Sequence, residues 1–214
     1  MNKVNYQKEM EKIIGRLESR PTLFLHSCCA PCSSYCMEYT REYFDVTVFY
    51  YNPNISSDEE YRKRLEEEKR LIAAFNKQVE TGNFVMNSSS HAAKIHIVEG
   101  DYRPQDFYNI ARGLEQCPEG GSRCFKCYEL RLRESFRVAK ERGFDYVAST
   151  LTISPLKNAD KINEIGFALA KEYGVSWLPC DFKKKNGYKR SIELSKEFDL
   201  YRQNFCGCVY SMRD

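Results

Sequence analysis

The sequence predicts a single α/β domain: an open, mostly parallel sheet with helices on both faces, of the HUP or PP-loop-like kind. Three observations predict it. Short runs of β-branched and aromatic residues alternate with longer amphipathic segments along the chain. The spacing between those runs leaves room for right-handed crossovers, which pair successive strands in parallel. Cysteines, asparagines and prolines follow several of the runs, at the carboxyl ends where such sheets bind their ligands.

The elements follow in order. Tyr6, Met10, Ile13, Ile14 and Leu17 recur at helical spacing and predict a helix over 5–19, so residues 1–20 read as a helical extension ahead of a domain at 21–214. Residues 22–26 predict a buried strand that Ala30-Pro31 breaks just after a cysteine pair, with a helix over 33–43. Residues 46–51 predict a second strand, closed by Asn52-Pro53-Asn54. Ser56, three residues before Glu59, has capping-box spacing and predicts a charged helix to about residue 75. Its apolar stripe is Tyr61, Leu65, Ile72 and Phe75, and the pairs Glu59/Lys63, Glu60/Arg64 and Glu66/Arg70 fall on its wet side. Residues 81–91 predict a polar loop, 94–98 a third strand, 104–116 a helix, and 118–121 a turn. A helix from Cys124 to about residue 142, a strand over 145–154, a helix over 159–173, a strand over 175–179 and a helix over 191–198 complete the alternation.

A chain of 214 residues can bury a full core without disulfide staples. It has no apolar leader at its start, and no apolar run approaches the roughly 18–20 residues that span a bilayer. No membrane is expected, and a cytoplasmic, reducing location is, where clustered cysteines act as metal ligands or catalytic thiols. A net charge of +3 is too small to imply nucleic acid and allows no more than a local basic patch.

The ten cysteines carry the chemistry. Cys28 and Cys29 are adjacent where the first strand turns, so both sulfurs can bend toward one object larger than a single ion. Cys124 and Cys127 share one face of a helix's first turn, where unpaired N–H groups favour thiolate. Four such thiolates suit a [4Fe–4S] cluster, while C-x-x-C is equally usual for structural zinc. Gly207 lets Cys206 and Cys208 reach one metal or each other. Cys32 stands close enough to join a second metal, or serves as a small apolar residue. Cys36, Cys117 and Cys180 lack partners at ligand spacing and read as packing residues, and His26, His91 and His96 as satisfied structural residues. Neither a P-loop nor a G-x-G-x-x-G motif is present. Lys183, Lys184 and Lys185, with Tyr188, Lys189 and Arg190, form a basic stretch that suits RNA phosphates or a solvated loop. Arg123 and Arg131 flank the ligand cysteines and either contact phosphate or neutralise a cluster.

Five ordered motifs, His26-Ser27-Cys28-Cys29-Ala30-Pro31, Phe49-Tyr50-Tyr51-Asn52-Pro53-Asn54, Glu119–Cys127, Ser149–Asn158 and Tyr201–Cys208, resemble those of the cobalamin-independent epoxyqueuosine reductase family, the QueH type. The resemblance covers residues 22–210. It implies an enzyme of the last step of queuosine synthesis, removing the epoxide oxygen from epoxyqueuosine in a tRNA anticodon loop. Carried over residue by residue, it puts a [4Fe–4S] cluster on Cys28, Cys29, Cys124 and Cys127. Cys206 and Cys208 fall on the family's catalytic redox pair, which also offers a place for a mononuclear iron. Some members carry Asp where this chain has Cys32, so a second metal there would meet sulfur in place of oxygen. The implied partners are tRNA and an external electron donor. The competing readings are a cluster-bearing tRNA-thiolating enzyme of the ATP-pyrophosphatase type and a zinc-stabilised RNA-binding module without catalysis.

Overall fold

Five short strands, rich in Val, Phe, Tyr and Leu, pair side by side: β1 (Thr22–Ser27), β2 (Asp45–Tyr50), β3 (His96–Glu99), β4 (Tyr146–Ser149) and β5 (Ser176–Trp177). The computed structural model describes residues 4–84 and 91–212; positions 85–90 of the expected polar loop lie outside the described residues. The sheet runs in the order β3-β2-β1-β4-β5, and every pairing is parallel, as the alternating pattern requires. The connecting helices are α1 (Tyr6–Ile14), α2 (Ala30–Thr40), α3 (Asp58–Thr81), α4 (Pro104–Ala111), α5 (Ser122–Arg142), α6 (Ala159–Tyr173) and α7 (Gly187–Glu197).

Because successive strand residues point to opposite faces, the sheet divides its apolar side chains between two layers. Leu23, Leu25, Val46, Val48 and Ala148 pack with Met37 of α2 and with Leu71 and Phe75 of α3. Phe24, Phe49, Val147 and Trp177 pack on the other side with Leu132 and Phe136 of α5 and Ile162 and Leu169 of α6. Met10 of α1 is fully buried in the first layer, so the N-terminal helix docks on the same core as the sheet. Gly166 of α6 permits this packing, since a Cβ there would lie 2.3 Å from the Trp177 ring.

Several boundaries depart from expectation. Helix α2 begins at Ala30, not at 33, because Pro31 occupies its first turn, where a missing N–H and a fixed φ are favourable; what looked like a strand breaker is a helix starter. The expected strand over 145–154 leaves the sheet after Ser149, whose hydroxyl accepts from Leu151 N–H at 3.2 Å and starts a buried 3-10 turn, Thr150–Ile153. Helix α4 stops at Ala111, just before Gly113 takes a φ of 76°. Helix α7 begins at Gly187, earlier than the charge pattern implied, after a turn with positive φ at Lys185 and Asn186. The wet-side assignment of Glu60/Arg64 is overturned. The pair forms at 2.6 Å, but Arg64 is 2% exposed. Arg70 pairs with Glu67 rather than Glu66, and Lys69 takes Glu66.

From β1 the chain moves outward through β2 to β3, then returns to the other side of β1 for β4 and β5. The strand order reverses between β1 and β4, which opens a crevice at their carboxyl ends. Cys28 follows the first of these strands and the Thr150–Ile153 turn the second.

Candidate thiol and metal site

Cys29 is the N-cap of α2 in fully extended backbone, and its carbonyl accepts from Cys32 N–H at 3.1 Å and Ser33 N–H at 3.0 Å. Cys29 and Cys32 therefore form a second C-x-x-C at a helix N-terminus, in addition to Cys124 and Cys127 on α5. The sulfurs of Cys28 and Cys29 are 3.9 Å apart, and those of Cys28, Cys29 and Cys32 all lie within 4.8 Å of one another. Thr150 closes the other side, with its hydroxyl 3.7 Å from the Cys28 sulfur. Hydrogen bonds from Cys29 and Cys32 hold the Cys28 thiol well below its ordinary range, so the trio's negative charge rests on Cys28. The same bond to Cys28 pushes Cys29 up to about 12.

The remaining thiols arrive from the far end of the sequence. Cys28, Cys29, Cys32 and Cys206 line one pocket of about 290 Å³. Cys124, Cys127, Cys206 and Cys208 line a small enclosed cavity beside it. Cys28, Cys29, Cys32 and Cys124 pack in one apolar layer, and Cys127 packs against Cys208. Seven cysteines from three distant stretches thus converge on the β1/β4 rim. Cys36 and Cys180 are fully buried among core side chains, and Cys117 lies in the loop ahead of α5.

Gly207 makes the tail's turn with a φ of 113°, a conformation that glycine alone adopts readily. Its carbonyl accepts from Ser56 N–H at 3.0 Å, and Arg64 Nη1 donates to the Cys206 carbonyl at 3.2 Å. Helix α3 thereby holds the tail against the site.

Buried cations surround the sulfurs. Arg131 is 1% exposed; its Nη1 donates to Asn52 Oδ1 at 3.1 Å, while Nε and Nη2 have no hydrogen-bond partner. Asn52 in turn donates to the Ser27 carbonyl at 2.9 Å, which locks the arginine to the end of β1. Burial works against the Arg131 charge, but Cys127, Cys206 and Cys28 outweigh it and hold its pKa above the usual range. Lys157, on the loop after β4, is raised by the same balance, with Cys206 and Cys28 overcoming burial. A buried guanidinium with two unpaired nitrogens and no carboxylate beside it needs anionic sulfur nearby, and thiolates holding a metal or cluster meet that need.

The residues expected from sequence separate clearly. Arg123 is 2% exposed and spends Nη1 on the carbonyls of Leu114, Glu115 and Cys117, which anchors the loop before α5. Arg123 and Arg131 both lie inside the protein rather than on a phosphate-facing surface. Tyr188 lines the sulfur pocket, and Lys183 and Lys184 line a groove that shares Pro155, Leu156 and Lys157 with it. Lys185 faces away and pairs with Glu11 of α1 at 2.5 Å. His26 is buried and satisfied by Ser149 Oγ at 3.0 Å and the Tyr51 carbonyl at 3.1 Å, as a structural histidine should be.

Arg64, Glu68, Asn52 and Lys157 were not among the site residues expected from sequence, and Arg64 was placed on the wet side of its helix. Two of them left a mark: Arg64 and Glu68 fall on the Tyr61–Leu65–Ile72–Phe75 stripe of α3, where a charged residue must have a buried partner or a function. Glu68 is fully buried, and burial pushes its carboxyl up to about 8 against the opposing pull of the Ser33 and Ser27 hydroxyls.

A parallel α/β sheet with a multi-cysteine centre at its switch point defines a thiol-based redox or metal protein. A family model described as Epoxyqueuosine reductase QueH matches residues 23–214. An epoxyqueuosine reductase QueH of Streptococcus pyogenes serotype M1 is 42% identical, covering 99% of this chain and 79% of its own length. That of Staphylococcus epidermidis is 41% identical, covering 98% and 85%, and that of Thermotoga maritima 33% identical, covering 89% and 90%. The chain belongs to the epoxyqueuosine reductase QueH family.

Proposed function

We propose that this protein is an epoxyqueuosine reductase that deoxygenates the epoxide of epoxyqueuosine in a tRNA anticodon loop to give queuosine. It acts in the cytoplasm with electrons from an external donor. The convergence of cysteines from three distant stretches on two adjoining cavities that share Cys206 carries the reading. Cys28, Cys29, Cys124 and Cys127 hold a [4Fe–4S] cluster; the donor chemistry fits, with thiols at two helix N-termini and an arginine lacking anionic partners beside them. Such a cluster supplies electrons one at a time.

Turning an epoxide into an alkene takes two electrons and two protons and releases water. Cys206 and Cys208 match that stoichiometry: as a dithiol they give up two electrons and two protons and become a disulfide, which the external donor reduces again. With Cys32, the same pair offers an all-sulfur place for a mononuclear iron. Gly207 allows the two sulfurs to approach, and Arg64 keeps Cys206 at the pocket. Tyr188 at the pocket lip offers a ring on which a splayed anticodon base can stack. Lys184 in the adjoining groove offers charge to the RNA backbone, whereas Lys183 beside it is held by Asp181.

Anaerobic iron and sulfide analysis, with an assay on epoxyqueuosine-bearing tRNA, tests this. A brown protein that forms queuosine is expected, with Cys124→Ser losing the cluster. A colourless protein with stoichiometric zinc and no deoxygenation would overturn it.

A further inference from the structure

Lys157 is the single residue lining the sulfur pocket, the basic groove and the inner cavity together. Its backbone leaves little freedom. Lys157 N–H donates to the Ser154 carbonyl at 3.2 Å, in a turn stiffened by Pro155, and Asn158 immediately after it caps α6 through Lys161 N–H at 2.9 Å. Neighbouring lysines are neutralised: Lys161 pairs with Glu164, Lys183 with Asp181 and Lys185 with Glu11. The groups that favour the Lys157 charge are the thiols of Cys206, Cys28 and Cys32 rather than a carboxylate. Of the other cations at the pocket, Arg64 is tied to Glu60 and the Cys206 carbonyl and Arg202 to the Ser195 hydroxyl. Lys157 is the cation that brings N–H donors to the place where the sulfur pocket meets the groove.

Opening an epoxide reductively puts negative charge on its oxygen, and an alkoxide is a poor product in a pocket partly closed to water unless a donor waits for it. We propose that Lys157 is a catalytic residue whose ammonium donates a hydrogen bond to the epoxide oxygen and passes a proton to it as the first carbon–oxygen bond breaks. The inference rests on the reductase reading. One electron reaches the carbon as that bond opens, and the Nζ–H proton moves to the oxygen to give a hydroxyl on the neighbouring carbon. The neutral amine regains a proton from a Cys206 or Cys208 thiol or from water. A second electron and a second proton then release the hydroxyl as water and leave the alkene. The sum is epoxide plus two electrons and two protons to alkene and water. The electrons come from the dithiol or a low-potential one-electron donor. Lysine suits this task because it is protonated at neutral pH and sits on a flexible stem that can follow the oxygen.

The test uses the intact holoprotein with tRNA bearing epoxyqueuosine, in excess chemical reductant so that electron supply is not limiting. Lys157→Met should keep iron and sulfide content and visible absorption, and lose about 10²–10³-fold in kcat with KM within about threefold. Lys157→Arg, which keeps a charged donor, should recover to within about tenfold of wild type. Turnover by Lys157→Met within about fivefold of wild type would overturn the proposal. So would equal losses in both variants, or a loss in Lys157→Met fully accounted for by missing iron, which would make Lys157 a cluster-holding residue. A wild-type protein inactive in the same assay would fell the reductase reading itself, an outcome separable from any of these.

Discussion

Replacing Arg64 by Met tests whether helix α3 holds the cysteine-bearing tail in place. Met keeps most of the buried hydrocarbon length, while the guanidinium, which lies over the Phe205 ring 5.0 Å from its centroid, is lost. Arg64 makes one hydrogen bond to the tail, from Nη1 to the Cys206 carbonyl at 3.2 Å, beside its cation–π contact with Phe205. Glu60 keeps a donor without Arg64, since the Tyr201 hydroxyl reaches its carboxylate at 3.1 Å. The loss is thus concentrated at Cys206, and a hydrogen bond to a charged group contributes about 1.5–3 kcal/mol. Two other ties survive: Ser56 N–H to the Gly207 carbonyl, and Cys206 N–H to the Ser211 hydroxyl at 3.1 Å. Opening should therefore be local. Hydrogen exchange of peptides covering 203–208 should quicken by about 10–150-fold, a tenfold change corresponding to about 1.4 kcal/mol, while peptides from β1 stay as they are. Unchanged protection at 203–208, or an equal change in β1, would refute the tether.

Two buried groups make opposing predictions about acid and base. Burial, and then the Arg131 charge, pushes His26 from 6.5 to about 3. The unfolded chain therefore gains a proton that the folded one refuses, and stability should fall by about 1.4 kcal/mol per pH unit as pH drops below 6.5. In urea titrations between pH 7.5 and 5, His26→Asn should lack that slope, and a slope equal to wild type would refute the assignment. Glu68 behaves in the reverse sense: burial lifts it from 4.5 to about 8, so its contribution is full at low pH and is lost as pH rises across that window. Glu68→Gln should gain stability over wild type on the order of a few kcal/mol at pH 8 and almost none at pH 4.5, with a pH-independent difference counting against it.

What the sequence made legible, and what it hid, divides along a physical line. Strand and helix identity follow from periodicity, and the rim location follows from parallel topology; both are local or generic. The start of α2 was missed because Ala30-Pro31 can end a strand or begin a helix, and only the Cys29 backbone decides between them. Arg64 does form its i,i+4 pair with Glu60, but the pair looked solvent-facing because the other partner, the Cys206 carbonyl, is 142 residues away. Arg131 could be placed on the Cys127 face of α5, yet its link to Asn52 spans 79 residues and leaves no trace in spacing. The cysteine clusters were visible because each is short in sequence, and Arg131 with them because it shares α5 with Cys124 and Cys127; Arg64 and Lys157, which come from other elements, were not.

Those cations explain why so many thiols can share one rim. Arg131 and Arg64 are 1% and 2% exposed, and Arg131 has no acidic partner among the described residues. Alone, a buried guanidinium of this kind costs several kcal/mol. Thiolates alone would cost as much through burial and mutual repulsion, and Cys29 keeps its proton in its hydrogen bond to Cys28 and in its buried setting. Each set is tolerable only because the other is there, so the positive charges belong to the thiol centre as surely as the sulfurs do. Their positions also divide the labour. Arg131 lies beneath the sulfurs, fixed to β1 through Asn52, and acts on their charge; Arg64 acts on the tail that brings Cys206 in. Lys157 stands where the sulfur pocket opens to the adjoining groove, and so it is placed to meet charge that arrives at the sulfurs with a substrate.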